Sequence, residues 1–236
     1  MKALVIPDIH LKPFIFSRAK EIMNKKEADI AVCLMDIPDD WGKEHKLDEY
    51  VETYDEAISF AKEFPQSLWC YGNHDLCYLW NERESGYSEA AKIIVQEKLM
   101  ELNRVLPVDN SVKYIQCIDN VLFCHGGITE YFVGKYVPIS MQDDVLKVVS
   151  RLNMLGHREM WNDDSPIWYR PQYYLGKMYG EKECLQVVGH TPVEKINRCG
   201  NIISCDVFST RRDGSHIGTR ELMIIDTKTW EFQGVR

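Results

Sequence analysis

The sequence predicts an α/β fold of two mixed β-sheets facing each other with helices outside, a four-layer αββα sandwich, and three observations predict it. The first half alternates strand-like apolar runs with segments of helical periodicity, as βα units do. Past Pro107 the texture changes to short β runs, enough for a second sheet. Five of the apolar runs stop abruptly at residues that bind metals or move protons, the placement expected where a site forms outside the carboxyl ends of strands.

In chain order, residues 3–7 are the first strand, and 14–26 the first helix, with Phe16, Ala19, Ile22 and Met23 near helical spacing. Residues 29–35 give the second strand and 36–46 a polar loop. A helix over 47–64 carries Val51, Tyr54, Ala57, Ile58 and Ala61 on one side until Pro65 stops it. The run from Leu68 ends at Gly72, which lets the backbone turn sharply. Residues 88–102 form a helix capped by Ser88, with Ala91, Ile94, Val95, Leu99 and Leu102 as its apolar stripe. Segments 113–118 and 121–124 pair as a hairpin turned by Asp119-Asn120, and the second sheet begins there. Residues 140–152 are a helix capped by Ser140, with Val145, Val148, Val149 and Leu152 inward. The segment 161–179 is irregular and aromatic, and strands return at 185–188, 202–205, 221–226 and 230–235.

A chain of 236 residues suits one large α/β domain spanning 1–236 and can bury a substantial core. A formal charge of −8 argues against general affinity for nucleic acid or an anionic membrane, while leaving room for a local phosphate site. Eight scattered cysteines form no Cys-x-x-Cys pair, and Cys33, Cys70, Cys117 and Cys124 sit inside apolar runs. They read as buried, reduced thiols of a cytoplasmic protein. The first strand begins at Ala3, which leaves no room for a signal core, and no apolar run approaches membrane-spanning length.

The chemistry lies in the residues that end the strands. Strand 3–7 is followed by Asp8-Ile9-His10, strand 29–35 by Asp36, and Leu68-Trp69-Cys70-Tyr71 by Gly72-Asn73-His74-Asp75. Val121-Leu122-Phe123-Cys124 runs into His125-Gly126-Gly127, and Leu185-Gln186-Val187-Val188 into Gly189-His190. Of seven histidines, only His45, His157 and His216 lie outside this pattern. Asp8, His10, Asp36, Asn73, His125 and His190 offer two carboxylates, three imidazoles and one amide, a mixed set suited to manganese foremost, or to iron or zinc, rather than calcium.

These blocks, in this order over residues 8–192, resemble the calcineurin-like metallophosphoesterases, and His125-Gly126-Gly127 with Gly189-His190-Thr191-Pro192 looks closest to the phosphoprotein-phosphatase branch. The resemblance implies the same αββα sandwich and two divalent metal ions. It assigns Asp8 and His10 to the first ion, Asp36 as the bridging carboxylate, and Asn73, His125 and His190 to the second. His74 matches the proton donor to the leaving oxygen, oriented by Asp39, and the implied mechanism is in-line attack of a metal-bound hydroxide on phosphorus.

Two departures qualify the match. Met35 stands where the second block usually opens with glycine, which a strand one residue longer would accommodate, and Asp40 stands where that branch carries a phosphate-gripping arginine. A phosphomonoesterase therefore needs another cation, and Arg170, Arg211 and Arg212 are the candidates, although each also reads as solvated surface charge. Pro192 replaces a further metal-binding histidine of many diesterase relatives and leans away from the nuclease and cyclic-nucleotide branches. Asp75 reads equally as an aid to His74 or a helix cap; Asp206 reads as a structural loop aspartate ahead of a hydrogen-bonding group near the site, and the aromatic segment as packing over the sheets ahead of a platform for a base or sugar. The leading expectation is a phosphatase acting on phosphomonoesters, phosphoprotein or small molecule. The alternative is a hydrolase of nucleotide or polynucleotide phosphates, and a non-catalytic protein-binding scaffold ranks lowest, because no ligand position and not His74 is lost.

Overall fold

In the computed structural model, which describes residues 1–236, β1 (Lys2–Ile6) is apolar on both faces. Ala3 and Val5 point one way, Leu4 and Ile6 the other, and all four are fully buried. A strand covered on both sides belongs inside a layered α/β structure. The chain continues through α1 (Phe14–Asn24), β2 (Ile30–Cys33), α2 (Leu47–Glu63), β3 (Leu68–Trp69), α3 (Asn73–Trp80) and α4 (Lys92–Val105). It then forms β4 (Ile115–Ile118), β5 (Val121–Cys124), α5 (Glu130–Tyr136), α6 (Val145–Leu152) and the single turn α7 (His157–Met160). The last part is β: β6 (Leu185–Val188), β7 (Asn197–Cys199), β8 (Ile202–Ser204), β9 (Leu222–Asp226) and β10 (Phe232–Val235).

Two mixed five-stranded sheets result, ordered β10-β9-β1-β2-β3 and β4-β5-β6-β8-β7. In the first, β1 pairs parallel with β2, Val5 opposite Val32, and antiparallel with β9, Leu4 opposite Ile224. In the second, β5 pairs parallel with β6, Phe123 opposite Val187. The period-two alternation of strands sorts the core into layers. Ala3, Val5, Val32, Phe123, Val187 and Ile203 meet between the sheets. Leu4, Ile6 and Trp69 pack outward against Phe16, Tyr54 and Leu99 of the first three long helices, whereas Leu122, Cys124 and Val188 pack outward against Phe132 and Val148. The four-layer αββα sandwich therefore stands, and no helix is long and apolar enough to cross a membrane.

Several elements differ from expectation for local reasons. The two C-terminal strands return to the first sheet, β9 beside β1, instead of extending the second. The helix expected from Ser88 begins at Lys92, because the Ser88 hydroxyl accepts from Ala91 N–H in a preceding turn. The helix expected from Ser140 begins at Val145, where Asp144 caps it by accepting from Lys147 N–H. The Gly72-Asn73-His74-Asp75 turn is itself the start of α3, since Asp75 accepts from Gly72 N–H at 3.0 Å. Strand β2 stops at Cys33, and Met35 instead adopts a left-handed φ of 56°.

Candidate functional site

Five strands of the two sheets end at one rim. Asp8 follows β1, Asp36 follows β2, Asn73 follows β3, His125 follows β5 and His190 follows β6. The backbone there is strained: six of the eleven non-glycine residues with positive φ, namely His10, Leu11, Met35, Asp36, Asp39 and His190, lie at this rim. Each left-handed residue costs about 1–2 kcal/mol, a cost that packing must override. Carboxylates also sit flat against backbone at two glycines. A methyl group at Gly72 would collide with Asp36 Oδ1, and one at Gly189 with Asp8 Oδ1.

The donor atoms converge. His125 Nε2 lies 3.1 Å from Asp36 Oδ2, 3.0 Å from Asn73 Oδ1, 3.2 Å from His190 Nδ1 and 3.9 Å from Asp8 Oδ2. His10 Nε2 lies 3.8 Å from the same Asp36 oxygen. Backbone partners hold the other ring nitrogens: His125 Nδ1 faces Leu34 O at 3.2 Å and His10 Nδ1 faces Asp39 O at 3.0 Å. Carbonyls only accept, so both Nδ1 atoms donate and both Nε2 atoms turn inward. Two sets able to hold a metal ion result, Asp8–His10–Asp36 and Asp36–His125–His190, with Asp36 common to both.

The donor set fits cations: Asp36 Oδ2, Asn73 Oδ1 and His190 Nδ1 crowd within 3.2 Å of His125 Nε2, whose own proton sits on Nδ1. Asp8 Oδ1 and His190 Nε2 are also buried without any hydrogen-bond partner. Burial, with Asp206 and Asp36 nearby, pushes the Asp8 carboxyl well above its usual range. Burial pushes the Asp36 carboxyl up as well, but His125, His74 and His10 outweigh it and hold the group below that range. Burial, then His125 and Arg170, depress His190.

His74 opens α3 beside this cluster. Its backbone N–H donates to Asp36 Oδ1 at 2.9 Å and its Nδ1 pairs with Asp39 Oδ2 at 2.9 Å. Burial lowers the imidazole, yet Asp36 and Asp39 together raise it to about 9, so it carries its proton at neutral pH. Asp75 serves as a brace: its carboxylate accepts from Asp36 N–H (2.9 Å) and Ile37 N–H (3.2 Å) in addition to capping α3. His10, Asp36, Asn73, His74 and His190 line a pocket of about 170 Å³, with Asp8 and His125 fully buried behind them.

The three candidate arginines separate. Arg170 lines the pocket, and its Nη1 donates to His190 O (2.6 Å) and Thr191 Oγ1 (3.3 Å). Gly126 N–H to Pro166 O (2.6 Å) and Gly127 N–H to Tyr169 O (2.9 Å) dock the segment that carries it. Arg211 does not line the pocket: its loop folds on itself through Arg211 N–H to Ser215 O, and the side chain is exposed and paired with Glu194 at 3.0 Å. Arg212 stacks 4.6 Å over Trp41, which lines the pocket, and so reaches only its rim. Asp40 does not grip an anion but is bound by a cation, Lys12 Nζ, at 3.0 Å with both groups buried.

Other pocket residues escape the motif reading. Asp206 follows β8 as the ligand-type residues follow their strands; it is buried, bound to Ser209 Oγ and lines the pocket. Trp168, from the aromatic segment, lines the pocket edge-on to His190 with ring centroids 5.6 Å apart. Lys12 gave no signal, lying between Leu11 and Pro13.

Comparison with known proteins follows from this geometry. The profile of calcineurin-like phosphoesterases matches residues 1–223. Among solved structures, the cold-active protein-tyrosine phosphatase of a psychrophilic Shewanella species superimposes with a TM-score of 0.59 at 17% identity, covering 100% of this chain and 80% of that one. The phosphoesterase Yfce from E. coli gives a TM-score of 0.46 at 13% identity over 100% of this chain and 98% of its own. No curated protein matches the sequence. The profile match over nearly the whole length decides the assignment: the chain belongs to the calcineurin-like phosphoesterase family, hydrolases acting on phosphoester bonds.

Proposed function

We propose that the protein, acting as one catalytic domain over residues 1–236, is a two-metal phosphatase for phosphomonoesters, phosphoprotein or small molecule. The convergence of six donor side chains with a proton-bearing His74 at one pocket carries this reading. Asp8, His10 and Asp36 would hold one divalent ion, and Asp36, Asn73, His125 and His190 a second. Divalent ions there supply positive charge to the ester oxygens and make a water a better nucleophile at neutral pH. The mixed oxygen and nitrogen donors suit manganese foremost, then iron or zinc.

The chain's own residues do the rest. Asp39 fixes the ring of His74 through Nδ1, which leaves Nε2–H to protonate the leaving oxygen. Arg170, anchored on His190 O, offers its remaining guanidinium N–H groups to a phosphoryl oxygen, the role Asp40 cannot take. Asp75 keeps Asp36 in place from beneath. A nucleotide phosphohydrolase is the second reading, because Trp41 stands 36% exposed at the pocket rim, where a base would stack. The eight free thiols fit a reducing, cytoplasmic setting.

The test is a rate comparison on manganese-loaded protein with p-nitrophenyl phosphate, a phosphopeptide, a diadenosine polyphosphate and a 2′,3′-cyclic nucleotide. The proposal expects the monoesters to turn over fastest and chelation to abolish turnover. A faster dinucleotide or cyclic substrate selects the second reading.

A further inference from the structure

His74 rests on two buried phenols. Asp39 turns Oδ2 to His74 Nδ1, and its other oxygen, Oδ1, accepts from the hydroxyls of Tyr50 (2.9 Å) and Tyr78 (2.5 Å). Both tyrosines are fully buried, and they come from different elements, α2 and α3. Tyr78 stands one turn beyond His74 on the same helix, so the imidazole and the phenol reach one carboxylate from one face. Ser88 N–H donates to the Tyr78 oxygen at 2.8 Å, so that hydroxyl accepts from Ser88 while it donates to Asp39. Burial and the charge of Asp39 push both phenols far above their ordinary range, so they remain donors at any working pH.

We propose that Tyr50 and Tyr78 are positioning residues for the phosphoester reaction: by occupying Oδ1 they pin the Asp39 carboxylate so that Oδ2 alone engages His74 Nδ1, and the ring presents Nε2–H to the leaving oxygen. This rests on the reading of His74 as the proton donor. An isolated carboxylate has two equivalent oxygens and about four lone-pair directions, so an unpinned Asp39 would let the imidazole swing. Neutral hydroxyls suit the task, since a lysine or arginine in their place would compete with His74 for the charge of Asp39. Neither tyrosine belongs to the metal-type donor sets or lines the pocket.

Leaving-group chemistry isolates the effect, because an alkoxide must be protonated as it departs and p-nitrophenolate need not be. Tyr78→Phe and Tyr50→Phe are assayed in manganese-loaded protein on a phosphoserine peptide and on p-nitrophenyl phosphate, with metal content measured. The low-field proton resonance of His74 Nδ1–H is followed by NMR in zinc-loaded protein. Tyr78→Phe should lower kcat on phosphoserine about tenfold and on p-nitrophenyl phosphate less than about twofold, with KM and metal content unchanged. It should also move the His74 resonance, and Tyr50→Phe should act in the same direction more weakly. Equal losses on both esters, no loss, or an unmoved resonance would overturn the proposal. Should Tyr78→Phe not fold, Tyr50→Phe carries the same readouts. If the unaltered protein cleaves neither ester, the functional reading fails, and the resonance still decides whether the phenols position His74.

Discussion

His125 Nε2 and Asp36 Oδ2 stand 3.1 Å apart at the centre of the site, with Asn73 Oδ1 and His190 Nδ1 at similar range. Because Leu34 O takes the proton on His125 Nδ1, so many electron-pair donors face one another only around a positive centre. Burial holds the Asp8 carboxyl well above its usual range, so an ion binding there would displace a proton and metal uptake should expel protons. Isothermal titration calorimetry in buffers of different ionisation enthalpy should show net proton release, and affinity for manganese should fall as pH is lowered. Ion-saturated protein at a hundred times Kd should gain about 2.7 kcal/mol of stability, raising Tm by roughly 5–10 °C.

Replacing His74 by alanine removes the proton-bearing ring and none of the six donors. The variant should keep its metal content and lose about 10²–10⁴-fold in kcat on alkyl phosphates. Paired elemental analysis and steady-state kinetics check this; loss of metal in proportion to activity would make His74 a structural residue.

Gly72 is where Asp36 lies against the chain, and a methyl group there meets Asp36 Oδ1 and the Asp36 backbone. Gly72→Ala should displace the carboxylate shared by both donor sets. Manganese affinity should drop at least tenfold, by analogy with lost ligand support, while far-ultraviolet circular dichroism stays unchanged. Competition with a fluorescent chelator measures the drop.

Met35 pits two effects against each other. Glycine in its place would relieve a left-handed φ of 56°, about 1–2 kcal/mol, but would remove a fully buried side chain, a loss of about 2–5 kcal/mol. Burial wins, and Met35→Gly should destabilise the protein by about 1–3 kcal/mol in urea unfolding.

Much of this was legible in the chain because it is written locally. An apolar run ending in Asp8, Asp36, Asn73, His125 or His190 states both a strand and where its end delivers a ligand-type side chain, and all five arrive at one rim. What was not legible depends on distant partners. Strands β9 and β10 look like any others in the second half, and only their pairing with β1 shows that they close the first sheet. Tyr50 carried no signal on the helix over 47–64, and only the fold brings the Asp39 carboxylate against its hydroxyl. Arg170 and Arg211 are indistinguishable in composition; the docking of Gly126 and Gly127 on the 166–169 segment brings one inward, and a self-contained turn sends the other out.

The central claim is that six residues remote in sequence hold a pair of cations around one shared carboxylate. Anomalous diffraction from crystals of manganese-reconstituted protein addresses it directly. Two peaks are expected, one on each side of Asp36, the first against Asp8 and His10 and the second against Asn73, His125 and His190. No peak at this rim, or ions bound only elsewhere on the molecule, would contradict it.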